Sequence, residues 1–160
     1  MTKKLLIVFI LVAFFAVGAF AQSGVGGGVY FNNLRASAVN TVNSPSYGAF
    51  GFFDSKFYEV TAGVAFNPDF EILIYNFTTH LKFPFQITNN IAVFPAIGLN
   101  MLMDRGGRDL FAEGGLGLDF SFTEKLFLRT TGTYGFYLGD KPAELSLHLM
   151  TVRMGIGFRL

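Results

Sequence analysis

From Met150 to Leu160 every even position is apolar and every odd position is Thr, Arg or Gly. Successive side chains of a β-strand point to opposite faces, so such a stretch has one oily face and one small or charged face. The same period of two recurs upstream. Tyr58, Val60, Ala62, Val64 and Phe66 alternate with Glu59, Thr61, Gly63 and Ala65, and Tyr75, Phe77, Thr79, Leu81 and Phe83 with Asn76, Thr78, His80 and Lys82. Leu116, Leu118 and Phe120 alternate with Gly115, Gly117, Asp119 and Ser121, and Leu126 and Leu128 with Phe127 and Arg129. After Gln22 no segment sustains the 3.6-residue period of an amphipathic helix. The pattern predicts eight strands, at 24–32, 47–54, 57–66, 72–83, 91–102, 110–122, 126–138 and 147–160. The faces of the second are the least marked, and Phe50 and Phe52 are placed on its oily side against Ala49 and Gly51.

The gaps between these strands alternate in character. Asn33–Ser46, Asn67–Glu71, Met103–Asp109 and Gly139–Ser146 follow odd strands and are richer in charge, Gly or Pro, with Asn33–Ser46 the longest. Asp54–Lys56, Pro84–Asn90 and Thr123–Lys125 follow even strands. An even number of antiparallel strands with alternating faces closes into an up-and-down barrel and leaves no open edge. The non-oily face carries Glu59, His80, Lys82, Asp119, Arg129, Arg153 and Arg159 among glycines and alanines. Eight strands enclose an interior just wide enough for side chains, which charges of both signs can fill. The other face is suited to hydrocarbon, and strands of about ten residues match the span of a tilted transmembrane strand. The fold expected is therefore an all-β, eight-stranded antiparallel transmembrane barrel. A soluble exported sandwich or lipocalin-like barrel fits the alternation as well. Asp119 and Arg129 lie five positions either side of Glu124, so a symmetric hairpin sets them opposite each other inside.

The first residues read differently. Lys3 and Lys4 precede an apolar run from Leu5 to Phe20, and Ala19-Phe20-Ala21 supplies small residues at alternate positions. That is the layout of a secretory signal peptide cleaved after Ala21, leaving 22–160 as the barrel domain. An uncleaved anchor is the competing reading, although the run is shorter than the roughly 20 residues of a spanning helix. Only 14% of the chain is charged, against about a quarter in an ordinary soluble domain, while 17% is aromatic. The net charge of +1 gives no footprint for nucleic acid, and the absence of Cys excludes disulfides, thiolate metal sites and lipidated cysteine.

Leu81-Lys82-Phe83-Pro84-Phe85, Asn89-Asn90-Ile91 and Phe94-Pro95-Ala96-Ile97-Gly98 resemble a strand–turn–strand unit of small bacterial outer-membrane β-barrel proteins, of the OmpA, OmpX and OmpW type. Gly114-Gly115-Leu116-Gly117-Leu118-Asp119-Phe120 is similar to their glycine-rich sixth strand. Val152, Met154, Ile156, Phe158 and Leu160 resemble the family's C-terminal assembly signal, with Leu160 standing where the family usually has Phe. The resemblance implies export by the general secretory route, periplasmic chaperones and the β-barrel assembly machinery as partners, and insertion into outer-membrane lipid as a monomer. It also implies periplasmic short turns and external longer loops.

No motif for catalysis, cofactor or metal binding stands out. The two histidines, His80 and His148, lack ligand spacing. Ser146, His148 and Glu144 are near one another in sequence, and some outer-membrane barrels are lipid-A hydrolases, but the His-x-Ser order of such enzymes is absent. Gly26-Gly27-Gly28 precedes no helix and is no phosphate loop. The expected function is structural or surface interaction with a lumen filled by the network of Glu59, Lys82, Asp119, Arg129, Arg153 and Arg159. A narrow channel for water, ions or small solutes is the alternative, and a lipid-modifying enzyme or soluble periplasmic barrel are further readings.

Overall fold

The structure, a computed structural model, describes residues 23–37, 41–140 and 146–160. Its elements are strands: β1 (Gly24–Ser37), β2 (Thr41–Asp54), β3 (Tyr58–Asn67), β4 (Ile72–Lys82), β5 (Phe85–Thr88), β6 (Ile91–Met103), β7 (Arg108–Ser121), β8 (Leu126–Tyr137) and β9 (Ser146–Arg159). Each pairs antiparallel with its neighbour, β1 also pairs with β9, and β4 pairs with β6. The sheet therefore closes on itself. β5 is no separate stave: it meets β6 beyond the β4 pairing, in line with β4. The break between them falls at Pro84, which has no N–H to give to a ladder. Eight staves remain.

Register fixes the tilt. A circuit of paired residues runs Gly24, Asp54, Glu59, His80, Gly98, Glu113, Gly135 and Leu149, and returns to β1 at Leu34 instead of Gly24. That offset is the stagger that leans the staves about 40° from the barrel axis. Both chain ends described, Ser23 and Leu160, lie at one mouth and are joined by the Leu160 N–H to the Ser23 carbonyl at 2.8 Å. The turns at this end are local. Ser55 caps one, its Oγ accepting from the Tyr58 N–H at 3.1 Å, and Thr123 Oγ1 accepts from Lys125 and Leu126 in another. At the other mouth Asn67 and Asp104 side chains accept from backbone N–H groups two and three residues on. Short polar side chains of this kind set a turn because they mimic a backbone acceptor.

The expected long loop at Asn33–Ser46 is not formed. β1 and β2 continue to Ser37 and from Thr41 as one paired hairpin. The reason is length. A 14-residue strand leaning about 40° rises roughly 35 Å, beyond an apolar band of about 25 Å, so its last residues need no oily side chains. Asn32 and Ser46 are buried inside the hairpin's inner face, and Ser44 accepts a hydrogen bond from Asn67 Nδ2 at 2.6 Å. Polar residues there extend the strands.

The outer surface is apolar all the way round. Val29, Phe66, Phe77, Leu99, Leu116, Phe136 and Ile156 represent seven staves and all are exposed, Leu116 at 70%. Inside, Thr61, Thr78, Asn100, Thr131 and Thr151 are each 1% exposed or less. A surface of that kind is stable in hydrocarbon, where closure leaves no backbone group unpaired. The faces assigned to β2 were inverted: Phe52 is buried in the lumen, and Phe50 shares its inward parity. Glycines across the ladder make the room. A β-carbon on Gly26 would meet the Phe52 ring, and one on Gly157 would meet the Phe127 ring. Gly117 stands in the same relation to Phe94, whose ring is flanked by Lys82 and Arg129 and has nowhere to go.

Gly117→Ala should therefore destabilise the barrel by about 1–3 kcal/mol through overpacking. In a urea refolding titration read by heat-shift electrophoresis, Phe94→Leu should cancel that penalty: the double variant should be no less stable than Phe94→Leu alone. An undiminished penalty would mean that the ring is not what the glycine accommodates.

Candidate functional site

The lumen is the place where this chain concentrates polar chemistry, and it is built in tiers. At the mouth that holds the termini, the short turn between β7 and β8 sets Asp119 and Arg129 directly opposite. Their bond is bidentate, Arg129 Nε to Asp119 Oδ1 at 2.7 Å and Nη2 to Oδ2 at 2.6 Å. The same guanidinium reaches Asp54 at 2.8 Å and Glu59 through Nη1. Lys82 pairs with Asp54 from β4. The Phe52, Phe94 and Phe127 rings lie 5.1–5.5 Å from the Arg129 guanidinium carbon. Arginine suits this position because its planar fork holds three carboxylates while its faces remain against aromatic rings.

The middle tier centres on Glu113 of β7. Its Oε1 accepts from His80 Nε2 at 2.6 Å and Arg153 Nη2 at 3.3 Å, and its Oε2 from Asn100 and Thr133 at 3.1 Å each. Arg153 Nη2 also donates to Thr78 Oγ1, Thr78 to Asn76 and Asn76 to Asn100. His80 Nδ1 lies 3.8 Å from Glu59, which links the two tiers. Toward the opposite mouth the chemistry changes. Leu102, Phe111 and Leu149 are buried against one another, with Leu34, Ile74, Tyr137 and Leu147 packed around them. An apolar plug thus sits above the polar column.

Of the residues singled out from the sequence, Glu59, Lys82, Asp119 and Arg129 share the first tier, and Arg153 joins them through Glu113 and His80. Arg159 stands apart at the mouth, where it donates to Ser121 Oγ at 2.9 Å and to the Glu124 carbonyl at 3.1 Å. Asp54 and Glu113 were missed. Asp54 has the parity of Phe50 and Phe52, so the inverted face hid it. Glu113 has the parity of Asp119 and was legible on that ground. Val152, Met154, Ile156 and Phe158 point outward on β9 and Leu160 ends it exposed. The 1–21 segment, with Ala19 and Ala21, lies outside the described residues, as does Glu144. Ser146 and His148 share the outward side, but His148 is held 5.5 Å from each of the Tyr134 and Phe136 rings, and no hydrogen bond joins it to Ser146 among the described residues. Among the described residues no three His, Asp or Glu groups are arranged to hold a metal ion.

The arrangement neutralises and fills. Asp54, Glu59, Glu113 and Asp119 each have a cationic or hydrogen-bonding partner.

No protein-family model matches the sequence, and no curated protein matches it. Solved structures do match the fold. Neisserial surface protein A (NspA) superposes with a TM-score of 0.56 at 11% identity, covering 86% of this chain and 97% of its own. The outer membrane protein OprG from Pseudomonas aeruginosa superposes with a TM-score of 0.52 at 10% identity, covering 87% of this chain and 95% of its own. The architecture is thus that of eight-stranded outer-membrane barrels.

The charge network makes an ordered prediction. Arg129→Met removes the partner shared by three carboxylates, leaving Asp54 with Lys82, Glu59 with His80 and Asp119 without a cation, and should cost about 3–5 kcal/mol. Asp119→Asn leaves Arg129 with Asp54 and Glu59 and should cost about 1–2 kcal/mol, the loss of one charge-assisted contact. Circular dichroism through a urea titration measures both, and equal costs would contradict the three-carboxylate geometry.

Proposed function

We propose that the chain is an integral outer-membrane protein of a two-membrane bacterium, with a structural or surface-interaction role and a lumen closed to solutes. One observation carries this reading: beneath a continuous apolar exterior, the lumen is stopped twice, by the Arg129 cluster and by the Leu102, Phe111 and Leu149 plug. An eight-stave interior is about as wide as the side chains that fill it, which supports a closed lumen over a pore. The likeness of fold to outer-membrane barrels supports the location.

In this reading the protein reaches the membrane by the general secretory route after removal of residues 1–21. Periplasmic chaperones and the assembly machinery engage the outward residues Val152, Met154, Ile156, Phe158 and Leu160. The barrel is a monomer in lipid, with its terminal mouth in the periplasm and its other mouth outside. No enzymatic role is part of this reading, and the packing of His148 against the Tyr134 and Phe136 rings, with no hydrogen bond to Ser146 among the described residues, supports that.

Membrane fractionation should recover the protein in the outer membrane, and unboiled samples should migrate differently from boiled ones. Refolded protein in a planar bilayer should pass no resolvable current. Steady single-channel openings would replace the structural reading with a narrow channel, and a soluble periplasmic fraction would remove the membrane reading altogether.

A further inference from the structure

The seam where β1 meets β9 closes the barrel, and it gathers most of the buried side-chain polar atoms that lack a hydrogen-bond partner among the described residues. Tyr30 pairs with Arg153 and Asn32 with Thr151, all four facing inward. All are buried at 5% exposure or less. Among the described residues five of their polar atoms have no hydrogen-bond partner: Tyr30 OH, Asn32 Nδ2 and Oδ1, Thr151 Oγ1 and Arg153 Nη1. Arg153 spends its other terminal nitrogen, Nη2, on Thr78 and Glu113, which leaves Nη1 buried without a protein partner. Buried polar groups in folded proteins are satisfied by protein or by ordered water, and orphans do not gather by chance in four adjacent residues.

We propose that this seam is a hydration site: a small cluster of ordered water, bound by Arg153 Nη1 and shared with Tyr30, Asn32 and Thr151, sealed inside the barrel. Two features choose water over an anion. The lumen already holds Asp54, Glu59, Glu113 and Asp119 against Lys82, Arg129 and Arg153, so no excess of cations awaits a negative charge. The orphan set also mixes donors with an acceptor, Asn32 Oδ1, and water serves both while a halide serves donors only. The site is closed toward the outer mouth because the next inward residues, Leu34 and Leu149, belong to the apolar plug. Toward the inner mouth, the inward positions are Gly28 and Gly155, with the Phe50 ring packed against Gly155. The water therefore links Tyr30 and Asn32 of the first strand with Thr151 and Arg153 of the last on the lumen face. The inference concerns the interior alone and stands whichever membrane role the protein has.

The test is a high-resolution crystal structure of the refolded 22–160 protein, with a second crystal soaked in bromide. The expected result is electron density for two or three waters (a handful of polar atoms bonds about that many) within hydrogen-bond reach of Arg153 Nη1 and of at least one of Tyr30, Asn32 and Thr151, with no anomalous bromide peak. Bromide signal at Arg153 would overturn the assignment in favour of an anion site. Direct side-chain pairing with no solvent density would overturn it outright. A matching solution readout is water cross-relaxation to the Arg153 guanidinium protons in arginine-labelled protein, identified by its disappearance in Arg153→Lys; absence of any contact with water there would also count against the proposal.

Discussion

An eight-stave barrel leaves inside it only the volume that its own side chains occupy, and that constraint orders the rest of this structure. Each inward residue must match what stands across the ladder and across the lumen. Where Phe52, Phe94 and Phe127 project inward, Gly26, Gly117 and Gly157 stand next to them. Where Arg129 projects inward, carboxylates from β2, β3 and β7 converge on it. Neither arrangement works in part. A ring without its glycine overpacks the wall, and an arginine without its carboxylates is a buried charge with nothing to offset its desolvation.

The same constraint explains why the barrel's two halves differ. Charge dominates near the terminal mouth, where turns are short and the chain has Asp54, Lys82 and Asp119 at or beside strand ends. Apolar packing dominates near the other mouth, where long strands leave the hydrocarbon band. The plug of Leu102, Phe111 and Leu149 there is a miniature soluble core, with the Tyr137 ring tilted against Phe111 at 5.6 Å between centroids. Between them Glu113 draws hydrogen bonds from four staves, β4, β6, β8 and β9, and so holds register around most of the circumference. Buried networks of this kind specify one arrangement because any slip leaves several groups unpaired.

Much of this was legible in residue order because period two is an uninterrupted signal when one face meets lipid. β9 declares both its faces from Met150 onward, and Glu124 centres a turn that puts Asp119 across from Arg129. Legibility failed where a side chain's type did not reveal its environment. Phe50 and Phe52 are as oily as any lipid-facing ring, and only the glycines paired with them in β1, together with Asp54 at the same parity, mark that face as inward. Asn33–Ser46 has the composition of a loop, yet its polar residues up to Ser37 and from Thr41 belong to strands that have outrun the membrane band. Pro84 ends a strand by hydrogen-bond rule without ending the stave. How four staves converge on one glutamate is a property of closure, and no local window contains it.

One face of each stave is built for lipid and the other for a filled polar interior. The chain has no Cys, so single cysteines introduced from Met150 to Phe158 can carry spin labels one at a time. In liposomes, labels at the even positions should be accessible to dissolved oxygen and those at 151, 153, 155 and 157 protected from both oxygen and a water-soluble nickel reagent. Even positions that respond to nickel, or a profile without period two, would contradict the account.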